Sequence, residues 1–431
     1  MNASTAHHAL SALPANNVSP IEGHSCAKRL PTSLQLKQQL PLTPALVDQV
    51  ARHRHSIRAI LNGEDSRLLL IVGPCSLHDP RSALEYAERL AELAADLSDQ
   101  VLLAMRAYVE KPRTTVGWKG LAYDPALDGS DDMAGGLTLS RQLMREMLRL
   151  GLPVASELLN PMAAAYFDDV LSWAAIGART TESQIHREMA SGLALPVGFK
   201  NGTDGGIAIA CDAMKSAAHS HRHFGIDRHG HPAIIESRGN PDTHVVLRGG
   251  HAGPNHDSAS IGEVRARLAK AGLPSRIMVD CSHANSGKDP LRQPQVLRDV
   301  LEQRLAGDRS LIGVMLESHL FEGSQPLSDE LRYGVSITDG SWAGTAPKRC
   351  CARPWSVCAT AENTDACRRR PLIPDARRPA ACCRRPACPA PPGRNVWHRS
   401  PGRGGCRYGR RRLRPRTGWA CAASGRHRRA P

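Results

Sequence analysis

The 431-residue sequence contains no run of about eighteen apolar residues, the length that a helix needs to cross a membrane. Residues 1–20 also lack the continuous apolar core of a secretory signal peptide. Cysteine is sparse in residues 1–340, which hold only 4 of the 13 cysteines, as is typical of chains kept in a reducing compartment. These absences argue against a membrane protein and predict a cytoplasmic one.

Acidic residues are nearly absent from residues 341–431, here called the tail. The tail carries 22 lysines and arginines but only 3 aspartates and glutamates, and it holds 12 prolines and five branched aliphatic residues. Such a segment cannot bury enough apolar surface to offset the entropy of ordering, so we expect the tail to be disordered. The whole-chain net charge of +15 divides into +19 for the tail and −4 for residues 1–340. Residues 1–340 are long enough for one large domain.

The nine cysteines of the tail leave zinc binding and nucleic-acid binding open as alternatives. Cys382, Cys383 and Cys388 lack the repeated CxxC pairs of a zinc module. The few aromatic residues of the tail, such as Trp397 and Tyr408, are scattered among the arginines without a regular pattern that would support stacking on bases. We therefore expect no specific nucleic-acid partner, although a charge of +19 predicts a nonspecific, salt-sensitive affinity for nucleic acid.

Residues 110–120, with the sequence EKPRTTVGWKG, form the most informative segment that is present, here called the 110–120 loop. It combines three cations, two threonines, two glycines and a tryptophan without helical or strand periodicity. Glycine and proline let a backbone turn closely around a ligand, and lysine and arginine bind phosphate or carboxylate oxygens. We interpret this loop as a binding site for a polyanionic small molecule, with a solvated basic loop as the alternative.

Between residues 68 and 316, short apolar runs alternate with longer amphipathic stretches, the pattern of βα units. The predicted strands are 68–72, 101–106, 153–156, 174–176, 197–199, 244–247, 276–279 and 311–316. The predicted helices are 80–97, 138–150, 183–191, 261–271 and 296–305. Eight parallel strands in roughly 250 residues predict an α/β fold, a (β/α)8 TIM barrel. A doubly wound sheet is the alternative.

A polar or reactive residue lies at or just past the end of each predicted strand, and in a barrel these strand ends meet on the face where active sites are built. The residues are Cys75, Arg106, Glu157, Arg179, Lys200, Arg248, His283 and Glu317. Cys75, His283, Glu317 and Asp339 offer a thiol, an imidazole and two carboxylates, a set that suits manganese, iron, cobalt or zinc better than calcium. The spacing of these residues along the sequence does not exclude the alternatives that Cys75 is a buried apolar side chain and that the carboxylates begin helices.

Seven cations are predicted on the same face of the barrel: Arg106, Lys111, Arg113, Lys119, Arg179, Lys200 and Arg248. Like charges this close repel one another unless anions lie between them. The helix that begins near Ser183 adds backbone N–H groups that favour an anion. The substrates are therefore predicted to carry phosphate and carboxylate groups.

Seven motifs resemble the class I 3-deoxy-D-arabino-heptulosonate 7-phosphate synthases. They are GPCSLHD at 73–79, KPRTTVGWKG at 111–120, GARTTESQIH at 177–186, PVGFKNGTDG at 196–205, LRGG at 247–250, SHANS at 282–286 and ESH at 317–319. The resemblance covers about residues 36–340. It implies a barrel enzyme that condenses phosphoenolpyruvate with D-erythrose 4-phosphate and releases phosphate, the first step of the shikimate pathway. A related synthase that takes arabinose 5-phosphate is the rival activity, and the KPRTT run argues against it.

The resemblance also implies roles for individual residues. A divalent metal ion (manganese, iron, cobalt or zinc) would be held by Cys75, His283, Glu317 and Asp339. The phosphoenolpyruvate site would comprise Arg106, Lys119, Glu157, Arg179, Lys200 and Arg248. Arg113 and Thr114 match the cradle for the phosphate of erythrose 4-phosphate. Lys111 would lie between the substrates as a proton donor, so that Lys111, His283 and Cys75 form the predicted catalytic set.

Feedback inhibition by an aromatic amino acid is a further implication of the resemblance. The candidate effector segments are residues 1–64, an N-terminal extension with a regulatory or oligomerisation role, and residues 219–240. The second segment contains five histidines, which fit a polar surface hairpin, with a metal site as the alternative. We also expect a homo-oligomer, either a dimer or a tetramer.

The resemblance ends at Gly340, beyond which the family has a Gly-Trp-acidic segment and a final helix. Codons compatible with residues 341–351, read from their third base, permit the peptide LGWDSTEALL. We hypothesise that the tail is an out-of-frame translation, which an intact reading frame across codons 339–351 would refute. The catalytic barrel of residues 65–340 would then lack its last helix, expose apolar surface on strand 311–316 and have weak activity. An inactive relative whose basic tail binds nucleic acid nonspecifically is the alternative function.

Overall fold

Parallel strands close into a barrel within residues 28–343, the part of the chain that the computed structural model describes. The predictions for residues 1–27 and for the tail from residue 344 onward lie outside these described residues. The strands are β1 (Leu68–Gly73), β2 (Val101–Arg106), β3 (Val154–Glu157), β4 (Trp173–Ile176), β5 (Val197–Lys200), β6 (Arg222–Ile226), β7 (Pro232–Glu236), β8 (Thr243–Leu247), β9 (Ile277–Asp280), β10 (Leu311–His319) and β11 (Trp342–Ala343).

Pairing of the first and last barrel strands closes the sheet. The strand order is β1-β2-β3-β4-β5-β8-β9-β10, and β1 pairs in parallel with β10 from Leu69 opposite Gly313 to Gly73 opposite Glu317. This closure confirms the predicted (β/α)8 barrel and excludes the doubly wound sheet. All eight predicted strands are present, with ends shifted by at most one residue, except that β10 extends three residues further.

The helices include the five that the sequence predicts and four that it does not. They are α1 (Ser33–Gln39), α2 (Pro44–Asn62), α3 (Pro80–Asp96), α4 (Met133–Arg149), α5 (Pro161–Phe167), α6 (Gln184–Gly192), α7 (Ala208–Ala218), α8 (Ser258–Lys270) and α9 (Gln293–Leu305). Of the barrel helices, α5 and α7 were missed because both are short and rich in alanine, which weakens the 3.6-residue periodicity of apolar residues that predicts a helix.

Local signals set the boundaries of these elements. The side chain of Asp79 accepts hydrogen bonds from the backbone N–H groups of Arg81 and Ser82, and Pro80 begins α3. Gly63 ends α2 with a left-handed φ of 75°, a conformation that favours glycine. The barrel strands are buried on both faces and therefore read as continuous apolar runs.

Helix α2 closes the N-terminal end of the barrel. Its residues Ile57, Ile60 and Leu61 belong to the same apolar cluster as Trp173 and Met278 of the barrel interior. The predicted boundary between an extension of residues 1–64 and a barrel of residues 65–340 therefore crosses one packed core. Because this end is filled, the accessible end of the barrel is the one at the carboxyl ends of the strands.

The expectation that strand 311–316 exposes apolar surface is wrong. All nine residues of β10 are buried, because the strand lies between β1 and β9 and packs against α9. Trp342 of β11 is also buried, and this short strand pairs with Ser318 and His319 at the end of β10. Within the described residues, no helix is long and apolar enough to cross a membrane.

Candidate active site

The 110–120 loop is fixed by its own hydrogen bonds. The backbone N–H of Lys111 donates to the carbonyl oxygen of Lys119 at 2.8 Å, and Arg113 Nε donates to the carbonyl oxygen of Trp118 at 2.7 Å. The buried indole of Trp118 donates to the carbonyl oxygen of Asp124 at 2.8 Å. A side chain at Gly120 would meet the carbonyl oxygen of Val109 at 2.3 Å, so the turn requires glycine. Trp118 thus anchors the loop.

A cavity of about 290 Å³ opens at the carboxyl ends of the strands. Its predicted site residues are Arg106, Lys111, Arg113, Thr114, Glu157, Arg179, Arg248, His283, Glu317 and Asp339. A second cavity of about 60 Å³ shares Glu157, Arg179, Arg248 and His283 with the first and adds Lys200. Lys119 lines neither cavity and is exposed, with its Nζ 5.9 Å from the ring of Tyr123. The structure therefore gathers the predicted side chains, with Lys119 apart.

Three of the four predicted metal ligands form one group. The ligand atoms of Cys75, Glu317 and Asp339 lie within 4.8 Å of one another. His283 lines the same cavity but is not part of this group. One sulfur and two carboxylates fit a divalent first-row cation. Among residues 28–343 no other such group occurs, so the five histidines of 219–240 are not brought together in one.

Burial governs the thiol in this group. Burial first, and the carboxylate of Glu317 second, raise the pKa of the Cys75 thiol to about 11, although nearby Lys111 acts in the opposite direction. Without a cation, Cys75 therefore keeps its proton at neutral pH. A divalent metal held at this sulfur would require the deprotonated thiolate, so its affinity would rise with pH.

Lys111 lies against the same ligand atoms. Its Nζ is 2.7 Å from Cys75 Sγ and 3.0 Å from Asp339 Oδ2. Burial acts to lower the pKa of Lys111. The thiolate that Cys75 carries at high pH, together with the carboxylates of Glu317 and Asp339, outweighs burial and raises that pKa. Lys111 is therefore an ammonium ion at neutral pH, placed at the mouth of the metal group.

Arg106 supports the ligands from beneath the cavity. Its guanidinium donates to Glu317 Oε1 at 2.8 Å and to the carbonyl oxygen of Cys75 at 3.1 Å, and both charged side chains are buried. The guanidinium carbon also lies 3.4 Å from the ring centre of Tyr108. A buried charge pair of this kind keeps both partners in one geometry, since losing either leaves an uncompensated charge.

The other cations approach the cavity from neighbouring strand ends. The buried Lys200 places its Nζ 3.1 Å from Asp280 Oδ2. Arg179 is exposed and donates to the carbonyl oxygen of Pro112 at 3.4 Å. The backbone N–H of Arg248 donates to Asn201 Oδ1 at 2.8 Å. These contacts leave the arginine charges free to meet an anion.

Three supporting residues were missed in the sequence: Asp280, Glu110 and Asn201. Asp280 is fully buried. It is the first polar residue after the predicted strand 276–279, so the strand-end pattern pointed to it, but His283 was selected as the site residue of that strand. Glu110 accepts hydrogen bonds from the backbone N–H groups of Leu159 and Asn160, both at 3.2 Å. No sequence signal separated Glu110 from an ordinary loop carboxylate.

Comparison with known proteins identifies related chains. The model of the DAHP synthetase I family matches residues 38–349, nine residues beyond the point where the motif resemblance ends. The Tyr-sensitive phospho-2-dehydro-3-deoxyheptonate aldolase of Escherichia coli (strain K12) is 52% identical over 321 residues, which are 73% of this chain and 90% of that protein. The Phe-sensitive enzyme of the same strain is 48% identical over 322 residues, 74% of this chain and 92% of that protein. The solved phospho-2-dehydro-3-deoxyheptonate aldolase of Francisella tularensis SCHU S4 has a TM-score of 0.75 and 41% identity, covering 77% of this chain and 97% of that chain.

Proposed function

The chain belongs to the DAHP synthetase I family, and from this membership we propose how its site residues divide the work. The family activity condenses phosphoenolpyruvate with D-erythrose 4-phosphate to give 3-deoxy-D-arabino-heptulosonate 7-phosphate and phosphate, the first step of aromatic amino acid biosynthesis. The alternative of an inactive nucleic-acid binder is not supported. We place the enzyme in the cytoplasm.

The observation that carries the site assignment is the convergence of Cys75, Glu317 and Asp339 beneath a cation-lined cavity. These three residues, with His283 beside them, would hold a divalent metal ion. When bound, this ion supplies Lewis acidity that polarises the aldehyde oxygen. Manganese, iron, cobalt and zinc all suit the donor set.

The cations would divide between the two substrates. Arg179, Lys200 and Arg248 surround the smaller cavity, which suits the phosphate and carboxylate of phosphoenolpyruvate. Arg113 and Thr114 line the outer part of the larger cavity, where they would hold the phosphate of erythrose 4-phosphate. The role of Lys119 in holding phosphoenolpyruvate stays a prediction. Fixed cations on both substrates orient the enolpyruvate methylene toward the aldehyde carbon.

Lys111 would act as the proton donor. The methylene carbon attacks the aldehyde carbon, and the aldehyde oxygen takes up a proton. Water adds to the neighbouring carbon of the enolpyruvate and loses a proton, and the bond between that carbon and the phosphate oxygen breaks, so that inorganic phosphate leaves. Lys111 lines the cavity and keeps an ammonium proton at neutral pH. Replacing Lys111 by methionine removes this proton and is expected to lower kcat by about 100-fold or more, the usual contribution of a general acid.

Release of inorganic phosphate from phosphoenolpyruvate tests the proposed function. We expect release with erythrose 4-phosphate and manganese, little release after chelation, and none without the aldehyde. Faster release with arabinose 5-phosphate would favour the rival synthase. The weak turnover expected for this chain depends on the tail, most of which lies outside the described residues. Weak turnover therefore stays a prediction, and the same phosphate-release assay measures it.

A separate cavity of about 480 Å³ is proposed as the effector site. It is bounded by Thr32 and Ser33, by α5 and α6, and by the hairpin of β6 and β7. The Escherichia coli relatives are named Tyr-sensitive and Phe-sensitive, and an aromatic amino acid fits a cavity of this size and apolar character.

Phe224 and Ile234 at this hairpin are 97% and 73% exposed. We propose that a homo-oligomer, a dimer or a tetramer, covers them, and sedimentation velocity measures its size.

A further inference from the structure

Asp280 lies at the end of β9 with no exposed surface and contacts two site residues of different predicted roles. Its Oδ2 is 3.1 Å from Nζ of Lys200, in the proposed phosphoenolpyruvate site. The same oxygen is 3.0 Å from Nδ1 of His283, beside the proposed metal group. One carboxylate oxygen therefore joins the two halves of the active site.

The other oxygen of Asp280 is held rigidly. Oδ1 accepts hydrogen bonds from the backbone N–H of Ser282 at 3.0 Å and from Ser282 Oγ at 2.6 Å. Asn285 Nδ2 also donates to the backbone carbonyl oxygen of Asp280 at 2.9 Å. The carboxylate cannot turn without breaking the two hydrogen bonds to Oδ1.

The network also fixes the tautomer of His283. Because the hydroxyl proton of Ser282 is donated to Asp280, Ser282 Oγ acts as an acceptor toward His283 Nδ1, 2.7 Å away. Nδ1 then carries the ring proton and shares it between Ser282 Oγ and Asp280 Oδ2. The lone pair on Nε2 is left free, the form in which imidazole binds a metal. His283 also has a left-handed backbone φ of 56°, which these contacts stabilise.

We propose that Asp280 is a positioning residue that orients His283 for the metal and Lys200 for phosphoenolpyruvate at once. This inference rests on the proposed function, because it assigns His283 and Lys200 to those ligands. Carboxylates that orient a metal-binding histidine affect metal affinity by 10–100-fold in other proteins. A role limited to packing would weaken stability without changing both affinities in a folded protein.

The test compares Asp280→Asn with Asp169→Asn. Asp169 pairs with the buried Arg141 at 2.7 Å and lines neither active-site cavity. Asp169→Asn therefore controls for the general effect of removing a carboxylate that pairs with a buried cation. Equilibrium dialysis measures manganese binding without phosphoenolpyruvate, and calorimetry measures phosphoenolpyruvate binding without metal. We expect Asp280→Asn to weaken manganese binding about 10–100-fold and to weaken phosphoenolpyruvate binding as well. Asp169→Asn leaves both affinities unchanged.

A double-variant comparison separates the two arms. In a Lys200→Met background, Asp280→Asn is expected to add little further loss of phosphoenolpyruvate binding while still weakening manganese binding. If Asp280→Asn does not fold, Ser282→Ala removes the hydroxyl that holds Oδ1 and weakens both affinities to a smaller degree. If wild type binds both ligands and the variants bind them with the same affinities, the inference is overturned. A change in only one of the two affinities overturns it as well. A wild-type protein that binds neither ligand overturns the proposed function and the inference with it.

Discussion

At the scale of single residues, burial and neighbouring charges together set the protonation of the site. Cys75 stays a thiol and Lys111 stays an ammonium ion because the first is shielded from water and the second lies among anionic groups. Glu110 is a third example. Burial raises the pKa of Glu110 to about 7, although the backbone N–H groups of Leu159 and Asn160 act against it. Glu110 links the loop that carries Lys111 to the loop that follows Glu157.

Glu110 predicts a pH dependence of stability. Its pKa rises from 4.5 to about 7 on folding, so the folded chain binds this proton more tightly than the unfolded chain. The resulting stabilisation is complete below pH 4.5 and is lost as the pH rises through about 7. Glu110→Gln removes this titration. Between these pH values the free energy of unfolding of wild type should fall relative to the variant, by at most about 3 kcal/mol.

Urea unfolding of both proteins across this pH range measures the difference. Glu92→Gln, at an exposed position of α3, controls for the loss of a surface carboxylate. A difference between wild type and Glu110→Gln that stays constant with pH, or that grows in favour of wild type, would contradict the prediction.

At the scale of elements, the hairpin of β6 and β7 stands apart from the barrel. It pairs only with itself and is inserted between α7 and β8. Its residues alternate between exposed and half-buried, and the half-buried side, including His223 and Ile235, faces the 480 Å³ cavity. An element outside the barrel can thus carry regulation without altering the strand ends that carry catalysis.

Filling this cavity is predicted to abolish feedback inhibition. Ala165 of α5 is half-buried and lines the cavity, so Ala165→Trp places an indole where the effector would bind. We expect inhibition by tyrosine or phenylalanine to be lost while the uninhibited kcat stays unchanged. Ala269→Trp, at an exposed position of α8, is the matched control and should keep normal inhibition. Inhibition of Ala165→Trp at wild-type concentrations would rule out this cavity.

At the scale of the whole molecule, the metal group joins distant parts of the chain. Cys75 and Asp339 are separated by 264 residues, yet Cys75 Sγ lies 3.4 Å from Asp339 Oδ2. Glu317 joins them from the strand that closes the barrel onto β1. A metal ion bound there ties the start of the barrel to its end, so its binding energy adds to global stability.

Manganese is therefore predicted to stabilise the folded chain. At a free concentration 100 times its dissociation constant, the free energy of unfolding should rise by about 2.7 kcal/mol, and chelation should reverse this gain. Cys75→Ala should remove most of the gain. Cys211→Ala, at another buried cysteine, should retain it. Thermal unfolding with and without manganese measures these changes, and equal shifts in both variants would place the metal elsewhere.

The positions of the strands and most of the chemistry at their ends could be predicted from the order of the amino acids. Both signals are local: a buried parallel strand is a continuous apolar run, and the first polar residues after it mark the carboxyl end. Cys75, Glu317, Lys200 and Arg248 were found in this way. The motifs then identified the family, which the comparisons confirm.

Which of these side chains meet could not be predicted and is seen only in the folded barrel. Closure of β10 onto β1 brings Glu317 to Cys75, and burial at the barrel centre makes Asp280 a shared partner of Lys200 and His283. Lys119, from the same loop as Lys111, is exposed outside the cavity. These outcomes depend on distances across the barrel and on the direction of each side chain, and a local pattern of residues carries neither quantity.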